Sequence, residues 1–134
     1  MKYEKSCGAV VVKRDQNEDY FLLVQMNKGH WSFPKGHMQH HETEQQTALR
    51  EIKEETNLDV ILLENFRQTV KYHSAHETEK EVVYFLAKSK SDYIQRQESE
   101  IKNISWLRYE DAMEQLTYET DKGILKQVHA MNFL

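Results

Sequence analysis

Residues 43–57 write both ends of a helix into their side chains. Thr43 followed by Gln46 has the form of a capping box, in which hydroxyl and amide each satisfy the other residue's backbone N–H. Asn57 suits the far end, because asparagine tolerates the left-handed conformation that closes a helix. The segment between, 44–56, is predicted helical, and the helical period then decides which residues share a face. Glu51 and Glu55 stand one turn apart with Glu54 beside them, so three carboxylates form one cluster. Ala48, Leu49, Ile52 and Thr56 fall on the neighbouring stripe and are expected to pack on a sheet. The acidic face then lies at the rim of the core, both held and open.

The remaining elements follow from local pattern. Gly8–Val12 and Tyr20–Val24 are short, apolar and rich in β-formers, and the polar stretch Lys13–Asp19 between them predicts a β-hairpin. His30–His41, which holds Pro34 and Gly36, reads as a loop. Leu58–Val70 is strand-like, with Val60, Leu62 and Val70 as inward candidates. Lys71–Lys80 reads as a polar loop, Val82–Ala87 as a strand and Ile101–Leu107 as another. Tyr109–Leu116 and Thr120–Met131 read as helices, the second because Ile124, Leu125, Val128 and Met131 recur at helical spacing. This order of strands, one helix, more strands and more helices predicts an α/β or α+β sandwich.

Length bounds the organisation: 134 residues fit one domain, 1–134, large enough to bury a core without cross-links. Cys7 is the only cysteine, so an intrachain disulfide is impossible, and a small buried strand residue is the expected role. No apolar run reaches the length of a membrane span and residues 1–6 hold no signal-peptide core, which makes the cytoplasm the expected location. Net charge is −4, against the basic footprint of a non-specific nucleic-acid binder. It does not exclude an anionic substrate, since bound divalent metals reverse the local sign.

Three glutamates packed this closely repel one another unless something positive joins them. A hard cation with oxygen ligands removes the repulsion, and Mg²⁺ is the usual choice beside phosphates. From the helix alone, a solvated face balanced by Arg50 and Lys53 is the plainer account.

The longer run separates these accounts. Gly36, five residues, Glu42, seven residues, Arg50-Glu51-Ile52, one residue, Glu54-Glu55, one residue and Asn57-Leu58 resembles the Nudix box, G-x5-E-x7-R-E-U-x-E-E-x-G-U with U a bulky aliphatic. Every defined position matches but one: Asn57 stands where the family has glycine, and it can serve the same terminating role. The resemblance implies a Nudix α/β/α sandwich with a central mixed β-sheet and a strand–loop–helix motif that binds Mg²⁺ or Mn²⁺. Carried over by position, Glu51, Glu54 and Glu55 are metal ligands and Gly36 offers a backbone oxygen. Arg50 pairs with Glu42 to hold the loop onto the helix.

Segments outside the box resemble the asymmetric diadenosine tetraphosphate hydrolases of that family: Ser6–Val10, Trp31–His37, Tyr84–Ala87, and Glu100 placed six residues before Trp106-Leu107. The likeness runs from about Ser6 to Leu116. It implies that diadenosine tetraphosphate is cut to ATP and AMP. Lys35 and Lys80 are candidates for the anionic phosphate chain, and His37 for the phosphate pocket beside Gly36. Tyr72 and Tyr84 are candidates for stacking on the base. Glu100 matches the loop glutamate that activates water in this subfamily, with Glu54 and Glu55 as fallback bases.

The seven histidines match no common zinc spacing; His40 and His41 are expected in solvent, and His73 and His76 in an exposed loop. RNA 5′-pyrophosphohydrolases share much of the Trp-x-Phe-Pro-Lys-Gly pattern, so an RNA 5′ end is an alternative substrate, as is a nucleoside triphosphate. A non-catalytic nucleotide sensor is a more distant alternative, because such domains lose the metal glutamates that this chain keeps. Monomer and homodimer both stay open, with the apolar tail Met131–Leu134 free to pack on the core or on a partner chain.

Overall fold

The chain begins with two strands that turn back on themselves. In a computed structural model, which describes residues 2–74, 77–91 and 93–131 with the side chains of 72 and 74 outside that set, β1 (Lys2–Asp15) pairs antiparallel with β2 (Glu18–Met26). Gln16 and Asn17 both take positive φ, 51° and 67°, which is the backbone of the tight turn whose twist matches a hairpin. The hairpin is the expected one, but its strands run past the apolar runs into the polar flanks.

β3 (Trp31–Ser32) and β4 (Lys35–His37) follow, then α1 (Glu44–Thr56), β5 (Val60–Ser74), β6 (Thr78–Ser89), β7 (Ile101–Leu107), α2 (Tyr109–Gln115) and α3 (Glu119–His129). The strands form one sheet of order β3-β2-β1-β6-β5, with β4 added to β1 and β7 to β2. β1 and β6 are parallel and every other pair is antiparallel, so the sheet is mixed.

Helices cover both faces, which is why the central strands read as unbroken apolar runs. Cys7, Ala9 and Val11 of β1 and Val83, Phe85 and Ala87 of β6 pack with Ala48 and Ile52 of α1. Their neighbours Val10, Val12, Val82, Tyr84 and Leu86 face Ala112, Leu116, Ile124, Leu125 and Val128 on the other side. The result is the expected α/β/α sandwich. Cys7 is fully buried, and desolvation pushes its thiol up to about 11, so it is an inert packing residue.

Four sequence expectations change. The loop His30–His41 contains β3 and β4, because Trp31 and Lys35 sit against β2 and β1 where their backbone groups complete the ladder. The polar stretch 71–80 is largely the ends of β5 and β6, paired from Lys71↔Glu81 to Ser74↔Thr78; cross-strand charge pairs suit a solvent-exposed ladder. Val60, Leu62 and Val70 do not share a face: the register of β5 shifts between Leu63 and Arg67, so Val60 and Leu62 pack toward α1 while Phe66 and Val70 join the opposite cluster. Leu49 is 40 % exposed, and Thr47 and Glu55 are buried in its stead. His76 and 132–134 of the apolar tail lie outside the described residues. Among the described residues, no helix is long and apolar enough to cross a membrane.

Candidate active site

α1 is fixed at both ends. The Gln46 backbone N–H donates to Thr43 Oγ1 (3.1 Å) and the Thr43 N–H to Gln46 Oε1 (2.9 Å), a complete capping box. Asn57 closes the helix at φ 68°, its N–H donating to the Lys53 carbonyl. The helix thereby presents Glu51, Glu54 and Glu55 at a set height against β4.

The loop before α1 is stapled by one arginine. Arg50 Nε donates to Glu42 Oε2 (2.6 Å), Nη2 to Glu42 Oε1 and to the His37 carbonyl (both 3.0 Å), and Nη1 to Glu51 Oε1 (2.8 Å) and to Glu54 (3.3 Å). Glu42 Oε1 also accepts from the Gln39 N–H and the Thr47 hydroxyl. The Arg50 guanidinium, with these donors, holds the Glu42 carboxyl down at about 2. The planar fork of arginine is what lets one side chain bridge β4, the loop and the helix.

The three glutamates differ sharply in environment. Glu54 is open to solvent. Burial raises Glu51 above its usual range, Arg50 opposes this, and the charges of Glu54 and Glu100 add to it. Glu55 is 1 % exposed. Burial, and then the Glu51 charge, push its carboxyl up to about 9, against the pull of Lys35 and its backbone N–H. Among the described residues Glu55 Oε1 meets no hydrogen-bond donor. Gly36 lies against Glu51, and a Cβ there would overlap the Glu51 carboxylate.

A buried carboxylate oxygen without a donor, a second carboxylate beside it and a glycine backbone with no side chain between them make a hard-oxygen donor set. That set fits Mg²⁺ or Mn²⁺. Among the described residues no three His, Cys, Asp or Glu side chains already converge as a ligand cage. Arg50 is the physical reason, since it engages Glu51 and Glu54. A cation that keeps most of its waters and takes phosphate oxygens needs only one or two protein carboxylates.

A cleft of about 570 Å³ lies on the opposite face of the sheet, lined by His30, Ser32, Lys35, Lys80, Tyr84 and the start of α3 from Tyr118 to Asp121. Lys35, Gly8 and Tyr84 occupy one row across β4, β1 and β6. A Cβ at Gly8 would strike the Pro34 carbonyl and Lys35, so the glycine lets β4 close onto β1. The Lys35 charge acts on both Glu55 and Asp121, which links the cleft to the carboxylate cluster.

Of the sequence candidates, the structure brings Lys35, Lys80 and Tyr84 into this cleft and Glu51, Glu54 and Glu55 to its neighbour. Glu100 is exposed on the loop before β7, and its charge reaches both Glu51 and Glu55. Tyr84 is corrected as a stacking platform. It is 1 % exposed, packed edge-on against Phe33 at 5.4 Å, and its hydroxyl donates to Asp121 Oδ1 (3.1 Å), so it forms floor and not wall. His37 is also corrected: its side chain lies in solvent, 3.9 Å from Glu4, outside the cleft lining. The Tyr72 side chain lies outside the described residues; its backbone pairs with Lys80. Sequence reading missed His30, Tyr118 and Asp121. Tyr118 is 50 % exposed and its ring stands 5.7 Å from that of His30, tilted by 51°. Burial, and then the charges of Lys35 and Lys28, hold His30 below its ordinary value. The missed residues come from a rim loop and a helix start, where no periodic signal marks them.

A family model described as the NUDIX domain matches residues 2–128. The bis(5′-nucleosyl)-tetraphosphatase (asymmetrical) of Sus scrofa is 34 % identical, covering 93 % of this chain and 92 % of its own length. The protein of the same name from Caenorhabditis elegans is 31 % identical, covering 94 % of each. A crystal structure of a C. elegans Ap4A hydrolase binary complex superposes with a TM-score of 0.87 at 33 % identity, covering 95 % of this chain and 96 % of that one.

Proposed function

Because the chain belongs to the NUDIX family, we propose that it is an asymmetric dinucleoside tetraphosphate hydrolase, dependent on Mg²⁺ or Mn²⁺, that converts diadenosine tetraphosphate and water to ATP and AMP. One observation carries the reading: the buried carboxylate of Glu55, whose Oε1 meets no donor among the described residues, stands beside Glu51, and Lys35 joins that pair to a cleft with a second lysine and an aromatic rim. The names of the Sus scrofa and C. elegans relatives support the substrate class.

In this reading Glu51, Glu54 and Glu55, with the Gly36 backbone oxygen, hold the cation. Bound there, it supplies positive charge to the phosphate oxygens and acidifies water. Arg50 and Glu42 keep the loop and helix in register. Lys35 and Lys80 add point charges along the phosphate chain. Tyr118, paired with His30, offers the base an exposed ring face. Glu100, whose charge reaches the cluster, orients the attacking water and takes its proton. Water adds to one phosphorus as the anhydride oxygen leaves on the other product.

The test is incubation with Mg²⁺ and diadenosine tetraphosphate in ¹⁸O-labelled water, with the products separated and weighed. ATP plus AMP, with ¹⁸O in one of them, is the expected result, and the labelled product identifies the phosphorus attacked. Symmetric ADP products, or no cleavage, would overturn the assignment. Unchanged turnover in Glu54→Gln would overturn the placement of the metal site.

A further inference from the structure

The cleft holds a negative charge where its ligand is anionic. Asp121 is 5 % exposed and lines the cleft together with Lys35 and Lys80. Its Oδ1 accepts from the Tyr84 hydroxyl, and Tyr84 is itself locked in the core against Phe33. A carboxylate fixed at the floor of a polyphosphate cleft repels phosphate. It therefore belongs to the part of the cleft that receives the uncharged end of the ligand. The aromatic pair His30 and Tyr118 lines that same cleft.

An ordinary helix-start acid does not explain this arrangement. Asp121 is in the first turn of α3, where acids complement the helix dipole. Glu119 in the same turn does so from the exposed rim of the cleft, beside Lys122. Asp121 is turned inward and pinned from the sheet. Burial pushes its carboxyl up, while the Lys35 charge and the Tyr84 hydroxyl favour the ionised form.

We propose that Asp121, held by Tyr84, is a specificity-determining residue that accepts N–H donors from the edge of the bound base and selects guanine over adenine. An ionised carboxylate is an acceptor only. Guanine offers two adjacent donors, N1–H and the N2 amino group. Adenine offers one amino donor beside N1, an acceptor that a carboxylate disfavours. Hypoxanthine keeps N1–H and lacks the N2 amino group, so it falls between them. A site built to pair with polar groups rejects a ligand that leaves them unpaired.

This inference rests on the hydrolase reading for the identity of the cleft, and its test separates the two. Wild-type kcat/KM is measured for diguanosine, diinosine and diadenosine tetraphosphates, and the affinities of GMP, IMP and AMP by calorimetry. The expected order is guanine, hypoxanthine, adenine, with about tenfold between the ends. Asp121→Asn presents one donor and one acceptor, which suit the amino–N1 edge of adenine and the O6–N1–H edge of guanine alike, and is expected to remove the guanine preference. Adenine equal to or above guanine in the wild type overturns the proposal, as does an unchanged order in folded Asp121→Asn. If no tetraphosphate is cleaved, the hydrolase reading falls while the mononucleotide affinities still decide the role of Asp121. Should Asp121→Asn fail to fold, the wild-type order, with the hypoxanthine step, decides it alone.

Discussion

Glu55 places an ionisable group where water does not reach, and the consequence is a pH signature. Its folded carboxyl titrates near 9 against an unfolded value near 4.5, so the native state binds a proton that the unfolded chain has released. Without divalent cation, stability is therefore full below about pH 4.5 as far as this group is concerned, and it declines as pH rises through 9. Glu55→Gln is expected to remove that slope and to stabilise the chelated protein at pH 8 by about 1–3 kcal/mol, while abolishing turnover. Urea unfolding in chelator, read against pH, checks the first part. Arg50→Lys keeps the charge but loses the fork, and is expected to lower activity about 10–100-fold, as outer-shell substitutions do at metal sites; steady-state rates across a Mg²⁺ titration check this. These residues were legible in sequence because helical spacing alone places Glu51, Glu54 and Glu55 together. Burial of Glu55 was not legible: only the turn of α1 toward β4, with Leu49 outward, reveals it.

At the scale of elements, α1 depends on its two ends. Asn57→Ala forces a Cβ-bearing residue without asparagine's compensation into φ 68° and is expected to cost about 1 kcal/mol. Asn57→Gly is expected to keep stability and activity, and denaturant midpoints of the two variants test the assignment. The first turn and the loop before it also carry acid sensitivity. Arg67 and Lys5 hold Glu44 at about 2, and Arg50 holds Glu42 at about 2. Both are depressed, so their contribution is present above about pH 4.5 and is lost as pH falls toward 2. An acid melting series is expected to show that loss, and Glu44→Gln to reduce it. Capping box, helix and Asn57 terminator were readable because each is local. The β5 shift at Leu63–Arg67 and the short strands β3 and β4 were not, because they exist only where partner strands supply hydrogen bonds.

Over the whole molecule, the two-faced burial of β1 and β6 makes them the rigid middle. Backbone amides of 7–12 and 83–87 are expected to exchange with deuterium only through global unfolding, while those of the exposed loop 95–100 exchange far sooner. Equal protection across both would refute this. The sandwich class was legible from the order of elements. The cleft was not, since it joins β4, β6 and the start of α3, which only the tertiary fold brings together.

The parallel register of β1 with β6, from Lys2↔Thr78 to Val12↔Lys88, has a consequence in time. Neighbouring hairpins can close early, but this seam joins segments more than half the chain apart, and such pairings form slowly. During synthesis the first strand waits, one apolar flank uncovered, until β6 has left the ribosome. Lys35 and Tyr84 meet across Gly8 only then. A nascent chain stalled before β6 therefore carries the whole acidic helix and no site, so the ability to bind nucleotide arrives all at once and late.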